Sequence, residues 1–168
     1  MRVSHRARPS TSTAGSDYAV TSHAGDYTVH VVVGVDPDNR MYLLDLWRTQ
    51  ASSDVWIEAW RDLVRKSRPA SWAEEQGQII SGVGPFLQRR AIERQAYTCR
   101  EQFMSRGDKA VRAQSMRGQM AMLGLYIKQG ALWFADLSII AWAMPRDFCT
   151  ARQSAESQAA PAWVRAWS

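Results

Sequence analysis

Apolar residues in the first third of the chain are spaced as in β-strands. The segment Tyr27–Val35 is β-branched and almost continuously apolar, which predicts a strand that is buried on both faces. Shorter segments on either side, Ser16–Thr21 and Met41–Trp47, predict two more strands. The turn-forming sequence DPDNR separates the second strand from the third. These patterns together predict a three-stranded antiparallel meander.

Helical and strand patterns alternate after the meander. Apolar residues recur at helical spacing from Ser53 onward, and Pro69 ends that helix. Three further short strands are predicted at Ser71–Glu74, Ala96–Arg100 and Leu125–Lys128. Helices are predicted between these strands, one of them with Pro85 in its first turn, and a last helix over Leu132–Trp142. This order favours an α/β fold with a ribonuclease H-like mixed sheet and helices on both faces.

Composition limits the domain organisation. The 168 residues are 46% hydrophobic and 22% charged, as in a single globular domain. We expect residues 15–144 to form this domain. Residues 1–14 contain three arginines and no acid, which predicts a flexible basic arm. Apolar periodicity ends in residues 145–168, so we expect an atypical tail that packs poorly.

Charge and cysteine content bear on partners and location. The formal net charge of +5 permits nucleic acid or another polyanion as a partner. Cys99 and Cys149 have no metal-ligand spacing and form no disulfide framework, which favours a reducing cytosol. No apolar run is long enough to cross a bilayer, so we expect no membrane partner.

Two acids are candidate metal ligands. Asp17 lies on the first predicted strand, and Glu74 ends the fourth. These strands can be neighbours in a mixed sheet, and Mg²⁺ prefers such oxygen ligands. A pair of these ions would hold the attacking and leaving oxygens of a phosphodiester. The alternatives are a turn or capping role for Asp17 and a solvated strand end for Glu74.

Several ordered motifs resemble the nuclease domain of bacteriophage terminase large subunits, from about Gly15 to about Leu137. The motifs are SDYAVTSHAGDYTVHVVVGVD, MYLLDLWR, WAEEQGQI, GPFLQRR and GDKAVRAQSMRGQMAMLGLYI. The resemblance implies a metal-dependent DNA endonuclease of phage genome packaging that works in the bacterial host cytoplasm. It implies Mg²⁺ or Mn²⁺ as the cofactor and double-stranded DNA as the substrate. It also implies the portal and the small terminase subunit as partners.

The same resemblance assigns roles to individual residues. It implies that Asp17 and Glu74 are catalytic metal ligands, with Asp26 and Glu75 as auxiliary acids. Lys109 and Arg112, in a DKxxRA-like helix start, match phosphate contacts of the family. The alternative for these two is an ordinary solvated basic face.

Two family features are missing. The third acidic ligand usually lies in an HDDxxDA-like segment, but RDFCTARQSA follows Pro145 here, with Asp147 as the nearby acid. The phosphate-binding loop of the ATPase motor, G-x-x-x-x-G-K-[ST], does not occur either. We therefore expect a truncated or impaired nuclease. The alternatives are an inactive prophage remnant that keeps the fold and weak DNA binding, and another ribonuclease H-like nuclease of the resolvase or integrase type.

Overall fold

A computed structural model describes residues 9, 11–19, 26–104, 114–128, 130–133 and 164–167 of the chain. The strands in this part are β1 Thr11–Asp17, β2 Thr28–Val35, β3 Met41–Thr49, β4 Ser71–Glu75, β5 Cys99–Phe103, β6 Leu125–Lys128 and β7 Val164–Trp167. The helices are α1 Ser53–Ser67, α2 Gln78–Glu93 and α3 Gln114–Leu123. No helix of the described residues is long and apolar enough to cross a membrane.

The strands of this described part form one mixed sheet in the order β5-β4-β1-β2-β3-β6-β7. β1, β2 and β3 are the predicted antiparallel meander. β4 pairs parallel to β1, and β5 pairs parallel to β4. β6 and β7 extend the other side of the sheet, also in parallel pairs. A meander flanked by parallel strands in this order is a ribonuclease H-like α/β fold, so the predicted fold class is confirmed.

The two faces of the sheet carry separate apolar clusters. The face that packs on α1, here called the α1 face, carries the larger cluster, with Val32, Trp72 and Trp60 at its centre. The opposite face, here called the α3 face, packs Leu43 and Ile127 with Met120 of α3. Residues of β2 alternate between buried on the α1 face and half-buried on the α3 face. β2 therefore packs against an apolar cluster on each face, as predicted, although its α3 face is only half-buried.

Two strands differ from the sequence prediction. β1 begins at Thr11 and ends at Asp17, so it starts inside the expected arm and ends where Ser16–Thr21 was expected to begin. The polar side chains of this segment give no strand pattern in the sequence. The strand forms because it pairs with β2 on one side and with β4 on the other. β5 covers Cys99–Phe103 rather than Ala96–Arg100. The reason is that the Ala96 N–H donates to the Ala91 carbonyl and closes the end of α2.

Other elements extend or shift the predicted boundaries. Pro85 lies inside α2 and not in its first turn, because the helix already begins at Gln78 and continues through the glycines. Val164–Trp167 pairs with β6, so these four residues of the expected tail belong to the sheet. Of the predicted helix Leu132–Trp142, only residues 132 and 133 are described, and they lie in a turn. The rest lies outside the described residues.

Gly34 in β2 leaves room for a close approach of the chain. A Cβ atom at this position would lie 2.5 Å from Pro9 Cβ and 3.1 Å from Leu44 Cδ1. We expect Gly34→Ala to lower the free energy of unfolding by about 1–3 kcal/mol, because the neighbours must shift. Urea denaturation measures this change.

Gly82→Ala in α2 is the matched control. Nothing lies within 4 Å of a Cβ atom there, and alanine is favoured in a helix interior by roughly 0.5–1 kcal/mol. Equal stabilities of the two variants would contradict the assigned contact.

Candidate functional site

Asp17 and Glu74 lie on neighbouring strands, but their side chains lie on opposite faces. Ser16 pairs with Glu74 across the β1–β4 pair, and Asp17 is the next residue of β1. Side chains of successive strand residues alternate between the two faces of a sheet. Ser16 and Glu74 therefore lie on the α1 face, and Asp17 lies on the α3 face. The two backbones are adjacent as expected, while the two carboxylates are separated by the sheet.

Glu74 is fully buried and held by two neighbours. Arg100 of β5 donates from Nη2 to Glu74 Oε2 at 2.6 Å, and its Nε donates to the same carboxylate. The Tyr18 hydroxyl donates to Glu74 Oε1 at 2.8 Å. Burial and the Glu74 charge raise the pKa of Tyr18, so the phenol keeps its proton and remains a donor. These contacts satisfy a buried charge, and this placement does not support Glu74 as a metal ligand.

Glu75, rather than Glu74, lies on the same face of the sheet as Asp17. It follows Glu74 in β4, pairs with Phe103 of β5, and lies on the α3 face. Extending the Ser16–Glu74 register by one residue places Glu75 opposite Asp17, at a strand spacing of about 4.8 Å. Asp17 is exposed and Glu75 is half-buried. Continued in this way, the register places Asp17 and Glu75 on the same face of the sheet.

Glu101 is a third acid on this face that the sequence analysis did not single out. It pairs with Ala73, one row away from the Asp17 and Glu75 row, and it is exposed. The displaced boundary of β5 concealed it, because the strand was expected to end at Arg100. No group of three or more His, Cys, Asp or Glu side chains within the described residues could hold a metal ion.

Of the other predicted site residues, the structure describes only Asp26. Asp26 is exposed and lies two residues before β2, at the same end of the sheet as Asp17. Lys109 and Arg112 lie outside the described residues, and so does Asp147. Their predicted roles remain predictions.

A buried polar chain lies under the end of β1 on the α1 face. The Trp72 indole N–H donates to Ser16 Oγ at 2.8 Å, and Ser16 Oγ lies 2.7 Å from His30 Nδ1. His30 Nε2 lies 3.0 Å from the Trp56 carbonyl oxygen. A carbonyl only accepts, so His30 carries its proton on Nε2 and accepts the Ser16 hydroxyl proton at Nδ1. This chain holds the residue that precedes Asp17.

His30 was read in the sequence as part of an apolar run, and its role follows from burial. Its side chain is fully buried and stacks on Trp47 with 5.1 Å between ring centroids. Burial lowers the pKa of His30 to about 4. The ring is therefore neutral near pH 7, as the hydrogen-bond chain requires.

Comparison with known proteins found matches among solved structures. No family model and no curated protein matches the chain. The structure of Thermus thermophilus RuvC aligns with a TM-score of 0.46 and 18% sequence identity, covering 66% of this chain and 81% of that one. T. thermophilus RuvC in complex with a Holliday junction substrate aligns with a TM-score of 0.41 and 17% identity, covering 67% of this chain and 76% of that one. The fold assignment rests on the strand order and directions given above.

Removing Arg100 tests the buried ion pair. Arg100→Ala leaves the Glu74 carboxylate buried without a counter-charge, so we expect a loss of about 3–5 kcal/mol in the free energy of unfolding. Chemical denaturation measures it. Arg94→Ala, at an exposed arginine, is the matched control and is expected to change stability by less than about 0.5 kcal/mol.

The two adjacent glutamates give a second comparison. We expect Glu74→Gln to destabilise the fold and Glu75→Gln to leave its stability nearly unchanged. The opposite order would mean that the assignment of the two faces is wrong.

Acid is expected to destabilise the protein through His30. The unfolded histidine binds its proton below about pH 6.5, whereas the folded one does so only near pH 4. The unfolded state therefore binds more protons between these values, and stability falls as the pH is lowered through this window. The full effect is about 3 kcal/mol.

His30→Asn keeps an acceptor and cannot titrate. We expect its stability to depend less steeply on pH between about 6.5 and 4, measured by urea denaturation at several pH values. His23→Asn is the control for the same change at another histidine. An unchanged slope in the His30 variant would refute the role of this ring.

Proposed function

We propose that this chain is a metal-dependent endodeoxyribonuclease with Asp17 and Glu75 as its metal ligands. The observation that carries the proposal is the β1–β4 register up to the Ser16–Glu74 pair, because its continuation by one residue supports a position for both carboxylates on the α3 face. Glu75 replaces Glu74 in the ligand set that the terminase resemblance implies. Glu74 instead stabilises the strand pair from the opposite face through Arg100 and Tyr18.

The donor set fits a hard divalent cation. Mg²⁺ is commonly held by one or two carboxylates together with waters and substrate phosphates, and Mn²⁺ accepts the same ligands. When bound, such an ion polarises a phosphodiester and lowers the pKa of water. Asp17 and Glu75 provide two negative charges, whereas two divalent metal ions carry four positive charges. We therefore expect one tightly held ion and weak activity.

The protein residues have separate tasks in this proposal. Asp17 and Glu75 would hold the cation from two rigid neighbouring strands, which keep a site more precisely in place than loops do. The chain Trp72–Ser16–His30 positions the end of β1 beneath Asp17. Asp26 is the auxiliary acid at this end of the sheet. Lys109 and Arg112 are the proposed phosphate contacts.

The order of the sequence motifs favours a terminase-type nuclease that acts on double-stranded DNA. In that case the portal and the small terminase subunit are the expected partners. A resolvase-type nuclease is the rival assignment, because the same fold supports several nuclease types. The substrate distinguishes the two, since a resolvase prefers a branched junction to unbranched duplex.

Cleavage by the purified chain tests the proposal. Supercoiled plasmid, linear duplex and a four-way junction are incubated with Mg²⁺ or Mn²⁺. We expect slow nicking of plasmid that Asp17→Asn and Glu75→Gln each reduce by about 100-fold or more, beyond the loss of about 10- to 100-fold seen for outer-shell residues. Glu101→Gln, on the same face but in the next row, is the matched control and should cleave normally.

Calorimetric titration with Mn²⁺ provides a second measurement. We expect at most one tight site, lost in Asp17→Asn and kept in Glu101→Gln. Cleavage that survives Asp17→Asn would refute the proposed site. Preference for the junction would indicate a nuclease of the resolvase type. Absence of both Mn²⁺ binding and DNA cleavage would indicate an inactive remnant.

A further inference from the structure

We propose that Arg48, stacked on Tyr27, binds the phosphate backbone of the nucleic acid beside the Asp17 and Glu75 pair. The inference rests on the proposed function and adds a substrate-positioning residue to it. Arg48 was not among the candidates from the sequence. Its place in the sheet, its stacking partner and its charge environment each support this role.

The sheet register places Arg48 in the same row as Asp17. Asp17 pairs with Val29 of β2, and Val29 pairs with Arg48 of β3. Directly paired residues of antiparallel strands lie on one face, so Arg48 and Asp17 share the α3 face. Two strand spacings separate their Cα atoms by about 10 Å. At a rise of about 3.4 Å per nucleotide, this distance corresponds to roughly three nucleotides of one strand.

Tyr27 holds the guanidinium group of Arg48 in a defined position. The Arg48 Cζ atom lies 3.4 Å from the centroid of the Tyr27 ring. Contact through the flat face of the guanidinium leaves the N–H groups at its edge available. These donors form a rigid fork that matches phosphate oxygens. Tyr27 is itself 39% exposed, so the stacked pair lies at the surface.

The charge of Arg48 is not used in an ion pair with the described part of the fold. Several arginines there pair with carboxylates, among them Arg40, Arg61, Arg89, Arg90 and Arg100. Among the described residues, no carboxylate forms a salt bridge with Arg48. The Arg48 guanidinium, held by an aromatic ring near the proposed metal site, suits an anionic ligand that extends from that site along the sheet. A phosphodiester backbone has that form.

DNA binding tests this role without relying on cleavage. Binding of a short fluorescein-labelled duplex is measured by anisotropy in EDTA, over a range of salt concentrations. We expect Arg48→Gln to weaken binding about five- to tenfold. We also expect the salt slope, which is the slope of log K against log salt concentration, to fall in magnitude by about 1, as for the loss of one phosphate contact. Arg65→Gln, at an exposed arginine of α1, is the matched control and should bind as the wild type does.

Three further variants separate charge from stacking. Arg48→Lys keeps the charge without the planar fork, so we expect intermediate binding with an unchanged salt slope. Tyr27→Phe keeps the ring and should bind normally, whereas Tyr27→Leu removes it and should weaken binding. Circular dichroism establishes that each variant is folded. If Arg48→Gln does not fold, Arg48→Lys and Tyr27→Leu decide the question.

The outcomes for this inference and for the nuclease proposal are distinguishable. Wild-type affinity and salt slope in Arg48→Gln would overturn the role of Arg48, even if Asp17-dependent cleavage occurs. Weakened binding in Arg48→Gln without any cleavage by the wild type would support Arg48 and refute the nuclease. A wild type that binds no DNA in EDTA would overturn the role of Arg48 and not the nuclease, because the nuclease proposal requires a bound cation. Where cleavage occurs, Arg48→Gln should raise KM with little change in kcat.

Discussion

The parallel pairing of β1 with β4 holds two consecutive acids, Glu74 and Glu75, on opposite faces of the sheet. Glu74 lies in the core with Arg100 and Tyr18, and Glu75 lies beside Asp17 on the α3 face. A shift of one residue in this pairing would exchange the two positions. Glu75 would then be buried and Glu74 would face the surface. The location of the candidate site therefore depends on this single register.

The buried contacts of Glu74 favour the observed register. A carboxylate removed from water is costly unless a counter-charge and hydrogen bonds surround it. Arg100 and Tyr18 supply both only when Glu74 lies on the α1 face. The Trp72–Ser16–His30 chain adds neutral hydrogen bonds to the same strands. The polar interior thus specifies which acid remains available on the other face.

The charges on the α3 face are arranged unevenly around the site. Asp17, Glu75 and Glu101 are acids, which repel a phosphate backbone unless a cation neutralises them. Arg48 lies on the same face, two strands from Asp17, with its guanidinium stacked on Tyr27. A metal ion at the acids and an arginine farther along the row would together offset the charge of successive phosphates. This arrangement is the physical basis for placing metal and substrate backbone on one face.

Local sequence patterns were sufficient for the α/β class, the meander and the sheet neighbours β1 and β4. They also placed Asp17 and the paired acids at strand ends, because strand ends and acids are visible in a single segment. The polar strand β1 begins earlier than predicted, since its stability comes from pairing on both sides rather than from its own side chains. The same limit concealed the start of β5, and with it Glu101.

The choice between Glu74 and Glu75 was beyond the sequence. Both are glutamates at one strand end, and the register with β1 and β5 alone determines which face each occupies. His30 contacts Ser16, Trp56 and Trp72, which lie far away in the chain. The role proposed for Arg48 likewise follows from its pairing with the row of Asp17. The sequence by itself determined which acids are candidates. Tertiary pairing decided which of them meet, because side-chain direction in a sheet is set by its neighbours' register.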